Sequence, residues 1–117
     1  MTVISTHVLD TALGRPAAGV HVRLQQLEPG ETDAVRAEIA ATCTDDDGRV
    51  SGFGVGDLPA GTYRLQFDTA SYYQVQRPGE QPFYPVVTVT FTVHDQSRNY
   101  HVPLLLSPFG YSTYRGS

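Results

Sequence analysis

The sequence predicts an all-β fold, an antiparallel β-sandwich, and three observations carry that prediction. Apolar and polar residues alternate with a period of two in several runs. β-Branched and aromatic side chains fill the apolar positions of those runs. Turns containing glycine or proline separate the runs at short, regular intervals. About seven or eight strands spaced in this way suit two packed sheets.

The first strand covers residues 3–10. Its parity sets Ile4, Thr6 and Val8 on one side and Val3, Ser5, His7 and Leu9 on the other. Gly14-Arg15-Pro16 turns the chain into a second strand at 20–25, where Val20, Val22 and Leu24 alternate with His21, Arg23 and Gln25. Pro29-Gly30 follows, and residues 31–38, polar with no apolar stripe, read as a loop before a weaker strand at 39–44. Asp47-Gly48 leads into a short strand at 50–52. Pro59-Ala60-Gly61 leads into one at 62–67, with Tyr63, Leu65 and Phe67 on its apolar side. The period breaks once, at about residues 69–77, where Thr69 caps a short helix that Pro78 stops. Beyond Pro78-Gly79, Val87, Val89, Phe91 and Val93 alternate with Thr88, Thr90, Thr92 and His94. Weaker strands at 99–106 and 111–115 complete the chain. No repeat, linker or low-complexity tract divides it, so residues 1–117 form one domain of ordinary size.

Composition excludes several classes of partner. The net charge of -4 arises from 12 acidic residues against 8 Lys+Arg, and no basic run follows a phosphate backbone, so nucleic acid is not expected. No stretch approaches the roughly 20 apolar residues of a membrane-spanning helix, and no membrane role is expected. The chain opens without a signal-peptide pattern, and its single cysteine, Cys43, has no partner for an intrachain disulfide. Both features point to a reducing compartment, the cytoplasm.

Candidate functional residues follow from parity. His7 shares its strand face with Leu9, and His101 shares its own with Asn99, Pro103 and Leu105. Leucines beside titratable groups are seldom left to bulk water, so a second copy of the chain is expected to cover this face. A histidine on a strand is more often a surface group than a functional one. His21 and His94, set among Arg23 and threonines, fit that plain reading. Arg49 follows Asp45-Asp46-Asp47-Gly48. It either pairs with a turn carboxylate, a contact contributing about 0–1 kcal/mol, or offers a planar five-donor fork to an oxygen-rich ligand. The three aspartates lack the full ligand loop of a calcium site. His7 and His101 stand far apart with no third ligand at metal spacing, so no metal or other cofactor is expected. No Gly-x-Ser-x-Gly elbow marks a nucleophilic serine.

The chain ends Tyr111-Ser112-Thr113-Tyr114-Arg115-Gly116-Ser117, directly after Asn99-Tyr100-His101-Val102-Pro103-Leu104-Leu105-Leu106-Ser107-Pro108-Phe109-Gly110. With Ser5-Thr6-His7-Val8-Leu9-Asp10-Thr11 and Thr44-Asp45-Asp46-Asp47-Gly48-Arg49, it resembles the 5-hydroxyisourate hydrolases, the transthyretin-related enzymes of urate breakdown. The resemblance runs from about residue 3 to the end. It implies a transthyretin-like sandwich of two four-stranded sheets with one short helix, assembled as a homotetramer with its sites at the subunit interface. It also implies hydrolysis of the cyclic amide of 5-hydroxyisourate without metal. His7, His101 and Ser117 would be catalytic, and Arg49 and Tyr114 would bind substrate. Tyr114 is either a wall of the site or a packing residue. Two departures stand out: Asn99 replaces a histidine that the family often carries, and residues 31–41 follow no familiar pattern. The competing class is a transthyretin-like carrier of small ligands, which has no need of two histidines, Arg49 and a terminal serine on one face.

Overall fold

The structure, a computed structural model, describes residues 2–117; residue 1 of the expected 1–117 domain lies outside them. Nine strands and one helix follow one another as β1 (Ile4–Asp10), β2 (Arg15–Pro16), β3 (His21–Leu27), β4 (Val35–Cys43), β5 (Arg49–Val50), β6 (Gly61–Phe67), α1 (Thr69–Gln76), β7 (Val87–Val93), β8 (Tyr100–Ser107) and β9 (Gly110–Thr113). One sheet runs β2-β1-β8-β9, with β5 also paired to β1, and the other runs β4-β3-β6-β7. The expected sandwich of two sheets with a short helix is what these residues form. The first sheet holds five strands because β2 and β5, two residues each, share the outer edge of β1.

Alternation decides which side of each strand is buried. In β1, Ile4, Thr6, Val8 and Asp10 point inward, while Ser5, His7 and Leu9 are half-buried on the outer face. In β8, Tyr100, Val102, Leu104 and Leu106 point inward, and His101 and Leu105 are half-buried outside. The inward side chains meet Val22, Leu24, Leu65 and Phe67 of the second sheet in one hydrophobic core.

Four local expectations need correction. The sandwich is not wholly antiparallel: β1 and β8 run parallel in unbroken register from Ile4↔Tyr100 to Asp10↔Leu106. These strands lie at opposite ends of the chain, joined by a long excursion through the second sheet, so no hairpin constrains their direction. Residues 35–38, read as loop, belong to β4. They pair with β3 from Gln25↔Glu38 to Leu27↔Val35, and Glu38 accepts hydrogen bonds from Arg23 and Gln25. An exposed edge strand needs no apolar stripe, so periodicity does not reveal it. The helix cap is Asp68, not Thr69. The Asp68 carboxylate accepts the Ser71 N–H at 3.1 Å, whereas the Thr69 hydroxyl donates to the Tyr84 carbonyl. Finally, β9 stops at Thr113 instead of running to residue 115. Pro103 of β8 has no N–H to donate, and the regular β8–β9 ladder ends beside it at Leu104↔Thr113. The chain rejoins β8 only at the isolated bridge His101↔Gly116.

Candidate active site

Register brings three of the predicted residues, His7, Arg49 and His101, together on the outer face of the five-stranded sheet. His7 lies directly opposite Arg49 of β5 on one flank. On the other flank, Ser5 lies beside His101 of β8, and His101 in turn bridges Gly116. Two rungs result, Arg49–His7 and Ser5–His101–Gly116, separated by two residues along β1. From strand rise and spacing, His7 and His101 lie roughly 8 Å apart along the diagonal, about the span of a small bicyclic ligand.

The turn before β5 is built to present Arg49 at this place. Asp45 Oδ1 accepts the backbone N–H groups of Asp47 and Arg49, each at 2.9 Å, and the Asp45 carbonyl accepts the Gly48 N–H at 2.9 Å. Gly48 has φ +75°, and a Cβ there would stand 2.4 Å from the Val8 carbonyl oxygen. Only glycine permits that conformation together with so close an approach to β1. The three aspartates therefore form a turn, as the sequence suggested. Among the described residues the Arg49 guanidinium makes no ion pair, which leaves its donors for a ligand.

Each imidazole is anchored at one nitrogen. His7 Nε2 lies 2.9 Å from the Asp47 carbonyl oxygen. His101 Nδ1 lies 2.8 Å from Ser5 Oγ. The His101 pKa is held below its usual 6.5, first by burial, then by the positive charge of Arg49, then by His7. His101 is therefore a neutral ring at neutral pH, within the electrostatic reach of both partners on the neighbouring rung.

The carboxyl end is tied to the same place. The Gly116 N–H donates to the His101 carbonyl at 2.8 Å. A Cβ on Gly116 would stand 2.5 Å from His101 Cδ2, so the backbone here packs closely against the imidazole side chain. Ser117 follows one residue on, its Cα about 3.8 Å from that of Gly116. His7, Arg49, His101 and the Gly116 backbone thus share one face, with Ser117 the next residue along. Tyr114 is exposed and, with Arg115, lines a cleft of about 210 Å³ beside Val89, Phe91 and Val102. The Arg115 guanidinium sits 4.6 Å from the centre of the Tyr100 ring, on the inner face of β8. Among the described residues no hydrogen bond links Tyr114 to either histidine. Ser5 and Gly116 complete the constellation, although strand alternation gives neither residue a distinct signal. Ser5 has the parity of His7, but which strand flanks it cannot be read from alternation.

A family model described as HIUase/Transthyretin family matches residues 4–116. The chain belongs to that family. Among its relatives is a 5-hydroxyisourate hydrolase of Deinococcus radiodurans, 45% identical over 97% of this chain and 95% of its own. Among solved structures, a 5-hydroxyisourate hydrolase of Klebsiella pneumoniae superposes with a TM-score of 0.81 at 35% identity and covers 100% of both chains. Sea bream transthyretin in complex with thyroxine superposes with a TM-score of 0.83 at 34% identity, over 97% of this chain and 93% of that one. Both branches of the family match the backbone about equally well. The side chains on the outer face must therefore separate catalysis from carriage.

Proposed function

We propose that this chain hydrolyses the cyclic amide of 5-hydroxyisourate to 2-oxo-4-hydroxy-4-carboxy-5-ureidoimidazoline, a step of urate degradation, with water and without metal. The observation that carries the reading is the convergence of two imidazoles, an unpaired guanidinium and the chain terminus on one sheet face. The similarity to the Deinococcus and Klebsiella hydrolases over nearly the full chain supports it.

The chemistry requires a water relieved of a proton, a stabilised oxyanion and a proton for the departing ring nitrogen. His7 and His101 serve to activate the water that attacks the carbonyl carbon and to shuttle its proton, with Ser117 positioning the water. Arg49 grips the oxygen-rich ring and the charge that develops on it. A positioned base supplies roughly 10²–10⁴-fold in rate. Tyr114 is the remaining candidate contact to substrate.

The same face supports a homotetramer with its sites between subunits. It is open on the single chain, carries half-buried Leu9 and Leu105, and lies on the sheet whose connecting loops expose Leu13 and Phe109. A second copy laid across it would exclude water from the two rungs and strengthen every electrostatic contact there. The unpaired, exposed Cys43 suits a cytoplasmic location, and among the described residues no helix is long and apolar enough to cross a membrane.

The test is the ultraviolet decay of freshly generated 5-hydroxyisourate with and without protein, each in the presence and absence of a chelator. Accelerated decay that the chelator leaves unchanged is expected. Decay at the buffer rate would remove the hydrolytic assignment, and loss of rate with chelator would remove the metal-free mechanism.

A further inference from the structure

We propose that Ser5 is a positioning residue whose hydroxyl sets the tautomer of His101, so that His101 offers a protonated Nε2 to the reacting oxygen while His7 alone cycles the proton. The role in turnover rests on the hydrolytic reading above. The assignment of protons rests on the hydrogen-bond partners.

A carbonyl oxygen only accepts, so the 2.9 Å contact from His7 Nε2 to the Asp47 carbonyl places the His7 proton on Nε2. His7 Nδ1 then carries the lone pair and has no hydrogen-bond partner among the described residues. It is the basic nitrogen of the pair. His101 differs because its partner is a hydroxyl, which can donate or accept. Ser5 Oγ makes no other hydrogen bond among the described residues, and Nδ1 is the acceptor that the fold supplies to its proton. A hydroxyl donating to Nδ1 leaves the single proton of the neutral ring on Nε2. Nε2 is bonded to Cδ2, the ring atom nearest Gly116.

The two rings are therefore unequal although they look alike in sequence. A neutral imidazole is a poor proton donor outright but an effective hydrogen-bond donor to oxygen on which charge is growing. Burial, Arg49 and His7 all keep His101 in that neutral form. In the proposed step, a water O–H proton passes to His7 Nδ1 as the C–O bond forms. His101 Nε2–H and Arg49 stabilise the resulting oxyanion. The same proton returns from His7 to the ring nitrogen as the C–N bond breaks, and the net change is the addition of one water.

The experiment is a long-range ¹⁵N–¹H correlation of the histidine rings at neutral pH, paired with steady-state kinetics. The His7 and His101 signals are assigned by His7→Gln and His101→Gln. The expected spectrum shows both rings protonated at Nε2. In Ser5→Ala the His101 signals move toward a tautomer mixture, and kcat falls about two- to tenfold, the size of one ordinary hydrogen bond, with KM nearly unchanged. Ser5→Thr, which keeps the hydroxyl on a β-branched residue suited to a strand, restores both readouts. A wild-type His101 protonated at Nδ1, or a Ser5→Ala variant with unchanged spectrum and unchanged kcat, overturns the proposal. A wild-type protein with the expected spectrum but no turnover instead sinks the hydrolytic reading, while the spectra still report whether Ser5 places the proton.

Discussion

Gly116→Ala is the perturbation whose consequence can be worked most directly from the geometry. The added methyl would stand 2.5 Å from His101 Cδ2, 3.1 Å from Cγ and 3.2 Å from Cβ. Ordinary carbon contacts lie at about 3.5–4.0 Å, so roughly 1 Å of relief is required. The ring cannot readily supply it. Ser5 holds its Nδ1 at 2.8 Å, and the β8 backbone is held by the parallel ladder to β1. The terminal segment is held here by the isolated bridge to His101, with the Gly116 N–H donating to the His101 carbonyl, so it is the part that moves. It carries Ser117 with it. A displacement of about 1 Å in a catalytic constellation can cost up to about 10²-fold in rate. Loss of that single backbone hydrogen bond costs only about 0.5–1.5 kcal/mol, a Tm shift of a few degrees. The assay is kcat/KM for 5-hydroxyisourate beside a thermal melt. We expect a ten- to hundredfold loss of activity with a melt lowered by no more than a few degrees. Full activity would refute the claim that the chain end packs against His101 in the working enzyme.

An NMR titration of His101 should give a midpoint below 6.5, and Arg49→Gln should move it upward; an unmoved midpoint would separate Arg49 from the site. The linked stability has a definite sign. The unfolded ring protonates near 6.5 while the folded ring resists, so this contribution is complete above that pH and declines as pH falls toward the depressed folded value. Gly48→Ala places a Cβ 2.4 Å from the Val8 carbonyl at φ +75° and should cost about 2 kcal/mol or more, lowering Tm by roughly 5–10 °C; a wild-type melt would contradict it. A short peptide fused after Ser117 should reduce activity more than the same peptide fused before residue 1, and equal rates would argue against a role for the terminus.

Much of this arrangement is legible in the sequence because burial writes itself into strands with one wet face. The parity of His7 with Leu9 and of His101 with Leu105 correctly puts both imidazoles on a half-covered outer surface. The Asp45–Gly48 turn is likewise readable, since short acceptor side chains and a glycine at positive φ are its physical requirements. What alternation does not encode is which strand lies beside which. The parallel neighbours β1 and β8 lie some ninety residues apart in the chain, and only that pairing turns Ser5 into the partner of His101. The polar β4 edge is silent for a related reason, because its backbone pairs while its side chains remain in solvent. Pro103 holds a signal that is simple to read in hindsight. A residue without an N–H in a central strand requires the neighbouring ladder to break, and β9 ends there.

In a shared site the two imidazoles act as one unit on this face. A double-mutant cycle on kcat/KM for 5-hydroxyisourate, using His7→Ala, His101→Ala and their combination, measures that directly. Each single variant should lose at least about tenfold with its far-UV spectrum intact, and the double variant should lose little more than the worse single. Losses that simply multiply, or either single variant at the wild-type rate, would contradict a shared site.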